Sequence, residues 1–190
     1  MTLAYILYYV YIGFKQQERS VHMNRKIVIS ASIAFVAGIL LTGVVLWSSA
    51  PSIMMLEDES PYDFETTVRV FEGEVAAGGW SVLQVHDMQE ILAGHGHDVA
   101  AVRIYELCSS QYSAEILALD DERIVSPLMP CRVSVYEKSD GSVYIARMNS
   151  DLMARPFGGV ISEIMQVAAV ETEVVIDAVL SGSSQFAGAQ

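Results

Sequence analysis

Two cysteines, Cys108 and Cys131, and three histidines crowded into one segment, His86, His95 and His97, are the residues whose types could do chemistry beyond packing. The cysteines lie 23 residues apart, each at the edge of a run that reads as a β-strand. In an exported protein such a pair is read first as a structural disulfide, and closing a loop of this length is worth ~3 kcal/mol in the chain-entropy model. Two other readings stay open: a pair of buried free thiols, and a reactive pair carrying redox, sulfur or metal chemistry. No Cys-x-x-Cys spacing is present to lower a thiol pKa, so the reactive reading rests on position alone. Around "HGH", flexible Gly94 and Gly96 could fold His95 and His97 toward one ion, with His86 or Cys108 completing a soft copper or zinc site. The spacing matches no standard zinc signature, and solvated loop histidines are the plainer reading.

Other candidates are weaker. Asp120, Asp121 and Glu122 could take a hard cation such as calcium, but no Gly-and-acid loop pattern accompanies them and a solvated turn suffices. Met54, Met55, Met88, Met129, Met148, Met153 and Met165 are scattered through runs of both periodicities, which suits gap-filling in a core. No serine sits in a G-x-S-x-G elbow, and Gly158-Gly159 lacks the residues of a phosphate loop, so it reads as a plain turn. The chain therefore offers no catalytic residue and names no cofactor, which leans away from an enzyme.

The elements that must position these residues fall on either side of an apolar run. Of the 190 residues 52% are hydrophobic, above the ~45–50% of a soluble domain, and part of the excess is concentrated in residues 27–47, "IVISASIAFVAGILLTGVVLW". This uncharged stretch matches the thickness of a bilayer's hydrocarbon core, with Trp47 where an interfacial aromatic belongs. Before it Lys15, Arg19, Arg25 and Lys26 face only Glu18; after it seven basic residues stand against 22 acids. The positive-inside rule then keeps residues 1–26 cytoplasmic and places the acidic body outside, as a single-pass membrane protein. Ser48-Ser49-Ala50 could mimic a signal-peptidase site, although Pro51 argues against cleavage. Met23 followed by Asn24-Arg25-Lys26 reads as an ordinary start, leaving residues 1–22 as either untranslated or an interfacial lead-in. The acidity of the body disfavours nucleic acid and anionic lipid as partners.

In the body, residues 53–57 read as a short strand. Ser60 is placed to cap a helix with Pro61 in its first turn, Phe64, Val68, Phe71 and Val75 form its apolar stripe, and Gly78-Gly79 stop it. Strands over 80–86 and 100–108, short helices over 88–93 and 112–119, and a last helix over 159–180 follow. That helix presents Val160, Ile164, Val167, Ala168, Glu171 and Val175, apolar enough for it to be half buried. "CRVSVYEK" and "SVYIARMN" alternate and are joined by Ser139-Asp140-Gly141, a strong hairpin signal. Helices and antiparallel strands in this order predict an α+β two-layer domain over 53–180. The small, polar segment 181–190 is expected to be disordered.

With "SPYDFETTV" opening a helix, a strand running into "HD", and "MPCRVSVYEKSDGSVYIARMN" as a terminal hairpin, the body resembles the family of domain of unknown function 302 (DUF302). That resemblance implies a fold of the TATA-binding-protein-like type, an antiparallel sheet with helices on one face, and a tendency to form homodimers. It implies no established activity; the occurrence of some relatives beside sulfur-metabolism and redox proteins points to a redox or sulfur-handling partner.

Overall fold

The computed structural model describes residues 2–187, without the side chains of residues 2–7, 14 and 16–23. The chain separates into two compact units, residues 1–50 and 51–190. Helix α1, Thr2–Met54, supplies the first and runs four residues into the second, and its stretch Asn24–Met54 is long and apolar enough to cross a membrane, with none of it buried. The expected span 27–47 lies inside that stretch. Glu18 and Arg19, used above in weighing the flanking charge, lie outside the described side chains.

The strand expected from residue 53 begins at Met55, because Ile53 and Met54 complete the helix. Asn149 explains the boundary: its amide donates to the Met54 carbonyl at 2.8 Å and its side chain to the Ile53 carbonyl at 3.1 Å, satisfying two groups that a helix end leaves orphaned.

Five antiparallel strands form one sheet in the order β1-β5-β4-β3-β2, made of β1 (Met55–Glu59), β2 (Ser81–Asp87), β3 (Val102–Cys108), β4 (Cys131–Glu137) and β5 (Val143–Met148). The α+β architecture read from the sequence is the one observed. Gly141, at φ +85°, turns the β4–β5 hairpin, and Asp140 accepts the Ser142 amide at 3.0 Å. Alternation then places Val133, Val135, Val143 and Ile145 on the buried face with Tyr105 and Leu107 of β3.

Helices α2 (Phe64–Ala77) and α6 (Gly159–Leu180) cover that face. All four residues of the expected α2 stripe are buried. The cap differs: Asp63, not Ser60, accepts the Thr66 amide, at 2.8 Å. Ser60 still belongs to the sheet, its amide bonded to Val143 O at 2.8 Å and its hydroxyl 2.7 Å from Thr67 Oγ1, so the chain leaves the strand too late for Ser60 to cap. On α6 the buried stripe is Ile161, Met165, Ala168, Thr172, Val175, Ile176 and Val179; of the residues singled out along the sequence, Ala168 and Val175 are buried and Val160 and Val167 are exposed, so the helix is half buried as expected.

Short helices α3 (Met88–Ala93), α4 (Ser110–Leu117) and α5 (Ser150–Ala154) fill the connections, with 3-10 turns at Glu122–Leu128 and Arg155–Phe157. Ile116, Val125, Ala154, Ile161 and Met165 make a second, smaller core beside the main one.

Residues 181–187 do not behave as the expected disordered tail; residues 188–190 lie outside the described residues. Arg69 donates to the carbonyls of Phe186 and Ala187 at 3.4 and 3.3 Å, and Ser184 Oγ donates to Glu74 at 2.6 Å. The Phe186 ring packs against Gly73, where an added Cβ would stand 2.5 Å from it. One aromatic residue with a slot to enter is enough to tie down an otherwise polar segment.

Candidate functional site

The two cysteines meet at the end of the sheet. Cys131 opens β4, opposite Leu107, and Cys108 closes β3; both are half-buried free thiols. The disulfide expected between them is not formed: Cys108 Sγ lies 3.2 Å from the Ser113 hydroxyl of α4. Burial first, and the neighbouring Cys108 second, push the Cys131 thiol up from its ordinary pKa. A thiol held protonated in this way is a poor nucleophile, the opposite of what a catalytic cysteine needs.

The histidines are not brought together. His86, on β2, places Nε2 3.2 Å from Glu106 Oε1, and Arg132 donates to the same oxygen at 2.9 Å. The hydrogen bond from His86, then that from Arg132, hold the Glu106 carboxyl below its usual range. His95 and His97 stand exposed in the turn after α3, their amides sharing the Leu92 carbonyl. Among the described residues no three His, Cys, Asp or Glu side chains converge as metal ligands, so the soft metal site suggested for His86, His95, His97 and Cys108 is not assembled. Asp120 is paired instead with Arg123 at 2.8 Å, as a solvated turn would have it.

What the fold does build is a cleft of about 440 Å³ between the β1–β5–β4 half of the sheet and the outer side of α6. Its apolar wall is Leu56, Val133, Met148, Ala169, Val170 and Val174, and Cys131 reaches its floor. Arg147 lies at its heart, 7% exposed and on the buried face opposite Val133 and Leu56. The guanidinium is caged by two carboxylates: Nε donates to Glu173 Oε1 at 3.0 Å, and the two terminal nitrogens donate to Glu173 and Asp58. Desolvation opposes the charge, but the bonds to Glu173 and Asp58 outweigh it and keep Arg147 charged. One side chain so ties β1, β5 and α6 together. Motif reading misses this residue. The available signal is the alternation itself, in which Val143, Ile145 and Arg147 share a face, so a charge occupies a core row of β5.

The family profile of domain of unknown function DUF302 matches residues 56–181. The chain belongs to the DUF302 family. Its fold is that of a solved relative: the crystal structure of an uncharacterised conserved DUF302 protein from Bacillus stearothermophilus superposes with a TM-score of 0.60 at 19% identity, covering 67% of this chain and 98% of that one. No curated protein matches the chain. The DUF302 domain thus carries the sheet, both helices and the whole of the Arg147 cleft, while α1 is an addition before it.

Proposed function

We propose that this DUF302 domain is a non-catalytic binding module, held at the outer surface of a membrane by α1 and acting as a homodimer, that takes a small ligand into the Arg147 cleft. The observation that carries the reading is the cleft itself. Its volume falls within the ~300–1,000 Å³ usual for small-molecule sites, its walls are apolar, and most of its polar groups, Arg147, Thr172, Glu173 and Asp177 among them, sit on a strand or a long helix. The anchoring follows from the apolar stretch of α1, and the orientation from the basic residues before it and the acidic body after it. Dimerisation rests on the family resemblance alone. The second reading, a thiol-based redox or sulfur-handling protein using Cys108 and Cys131 with a redox partner, is favoured by the two free thiols at one end of the sheet, one of them on the cleft floor. The raised pKa of Cys131 weighs against it.

The test is ligand-observed NMR on the full chain in detergent micelles with 2-phenylethanol as the probe. Saturation transfer is expected, and Ala169→Trp, which fills the cleft from α6, abolishes it. No transfer, or transfer indifferent to Ala169→Trp, overturns the binding reading. Transfer that is lost after alkylating Cys131 but unchanged by Ala169→Trp would favour the thiol reading instead.

A further inference from the structure

We infer that the cleft selects a ligand bearing a protonated amine or amidine on a small apolar body; this rests on the binding reading above and sharpens it. The argument is an inventory of what the lining can still offer. Each side chain of the lining with an N–H or O–H to donate is already engaged within the protein, and both guanidiniums are charge-matched by acids. Arg147 gives Nε and both terminal nitrogens to Glu173 and Asp58. Asn149 gives its side-chain amide to Ile53 O at 3.1 Å, Ser150 its hydroxyl to Met148 O at 3.4 Å, and Thr172 its hydroxyl to Ala168 O at 2.8 Å. Arg132, which also lines the cleft, gives one terminal nitrogen to Glu106, outside it, at 2.9 Å, and that carboxylate matches its charge.

Acceptors, by contrast, are in surplus. Glu173, in the lining, shares the Arg147 guanidinium with Asp58, which is not part of the lining. Asp151 is matched by Arg155 at 2.6 Å, but Asp177 has no hydrogen bond or ion pair to its carboxylate among the described residues. Asp177 also lies in the last turn of α6, where the helix carbonyls add negative potential and no basic residue offsets them. A carboxylate or phosphate entering the cleft would meet acids, and guanidiniums whose charge is already matched by Glu106, Glu173 and Asp58, whereas an N–H-bearing cation would find Asp177 and the outer lone pairs of Glu173, with Val170 and Val174 beside them to cover an apolar body.

Three isosteric probes separate the terms: 2-phenylethylamine, 2-phenylethanol and phenylacetate, titrated by calorimetry and NMR into the full chain in neutral detergent at low salt. The amine is expected to bind about tenfold more tightly than the alcohol, the size of one partly screened ion pair, and the acetate more weakly than the alcohol. Asp177→Asn, an exposed substitution that leaves the core alone, should bring the amine close to the alcohol, as should raising the salt to about 0.5 M. Equal binding of amine and alcohol, or an amine preference that survives Asp177→Asn and salt together, overturns the charge inference and leaves the cleft as a binding site. Tightest binding by phenylacetate also overturns it and makes Arg147 the ligand's partner. If none of the three binds, the binding reading falls and the inference with it.

Discussion

Replacing Arg147 by methionine removes the guanidinium but keeps most of the apolar stem. Three charge-assisted hydrogen bonds to Asp58 and Glu173 are lost, and two carboxylates that shared one cation are left beside each other. Breaking a fully buried ion pair from one side costs ~3–5 kcal/mol. Here the arginine side chain is 8% exposed, but Asp58 and Glu173 are 45% and 37% exposed, so water solvates the orphaned acids in part. The discounted cost is about 2–3 kcal/mol. With a urea dependence of ~1–3 kcal/mol per molar, the unfolding midpoint should fall by roughly 0.7–3 M. The assay is urea unfolding of the full chain in micelles, followed by emission from Trp80, which is 7% exposed in the core. The discriminating variant is the triple substitution Arg147→Met, Asp58→Asn, Glu173→Gln, which removes the stranded charges and should recover at least half of the loss. A single variant within about 0.5 kcal/mol of wild type would refute the cage as a tie between β1, β5 and α6. A triple variant no more stable than the single would refute the charge argument.

Three further outcomes follow from the geometry. Gly73→Ala should stabilise a chain shortened at residue 180 by about 1 kcal/mol through helix propensity, yet give no gain in the full chain, where the methyl meets the Phe186 ring; equal gains in both backgrounds would show that the tail does not pack there. Intact-mass alkylation without reductant should label both cysteines, Cys131 more slowly than Cys108, and its rate should keep rising with pH beyond the ~8.5 of an ordinary thiol; a single mass two hydrogens lighter that resists alkylation would restore the disulfide. Asp63→Ala should cost ~1 kcal/mol near neutral pH. The Thr66 amide, then the Thr66 hydroxyl, hold the Asp63 carboxyl below its usual range, so the contribution is full above the unfolded carboxylate's ~3.9 and is lost as pH falls through the folded value; a difference between wild type and variant that grows on acidification would contradict this sign.

Much of the fold is legible along the chain because its signals are local. The α2 stripe, the glycines that stop α2 and α3, the Asp140-Gly141 hairpin and the limits of α6 each depend on residues within a few positions of one another, and each falls where the sequence puts it. The chemistry-bearing residue types are equally easy to see, but type and spacing misdirect: the histidines are spread between a strand and an exposed turn, and the thiols stand unbonded. Arg147 carries no motif and is visible only as a charge in an apolar row.

The sequence by itself determines the apolar stretch at the N-terminus, the acidic body, the order of helices and strands, and membership of the DUF302 family, since all of these are properties of composition and short-range pattern. Only the tertiary structure decides what depends on partners far away in the chain. Ser60 cannot cap α2 because Val143, 83 residues on, still holds its amide in the sheet. The tail is ordered because Gly73 leaves a slot for Phe186. Which side of α6 faces inward is set by the sheet it meets, which buries Ala168 and Val175 and leaves Val160 and Val167 exposed. The cleft exists because β1, β5 and α6, whose pairing no local signal encodes, converge on one buried guanidinium and two carboxylates.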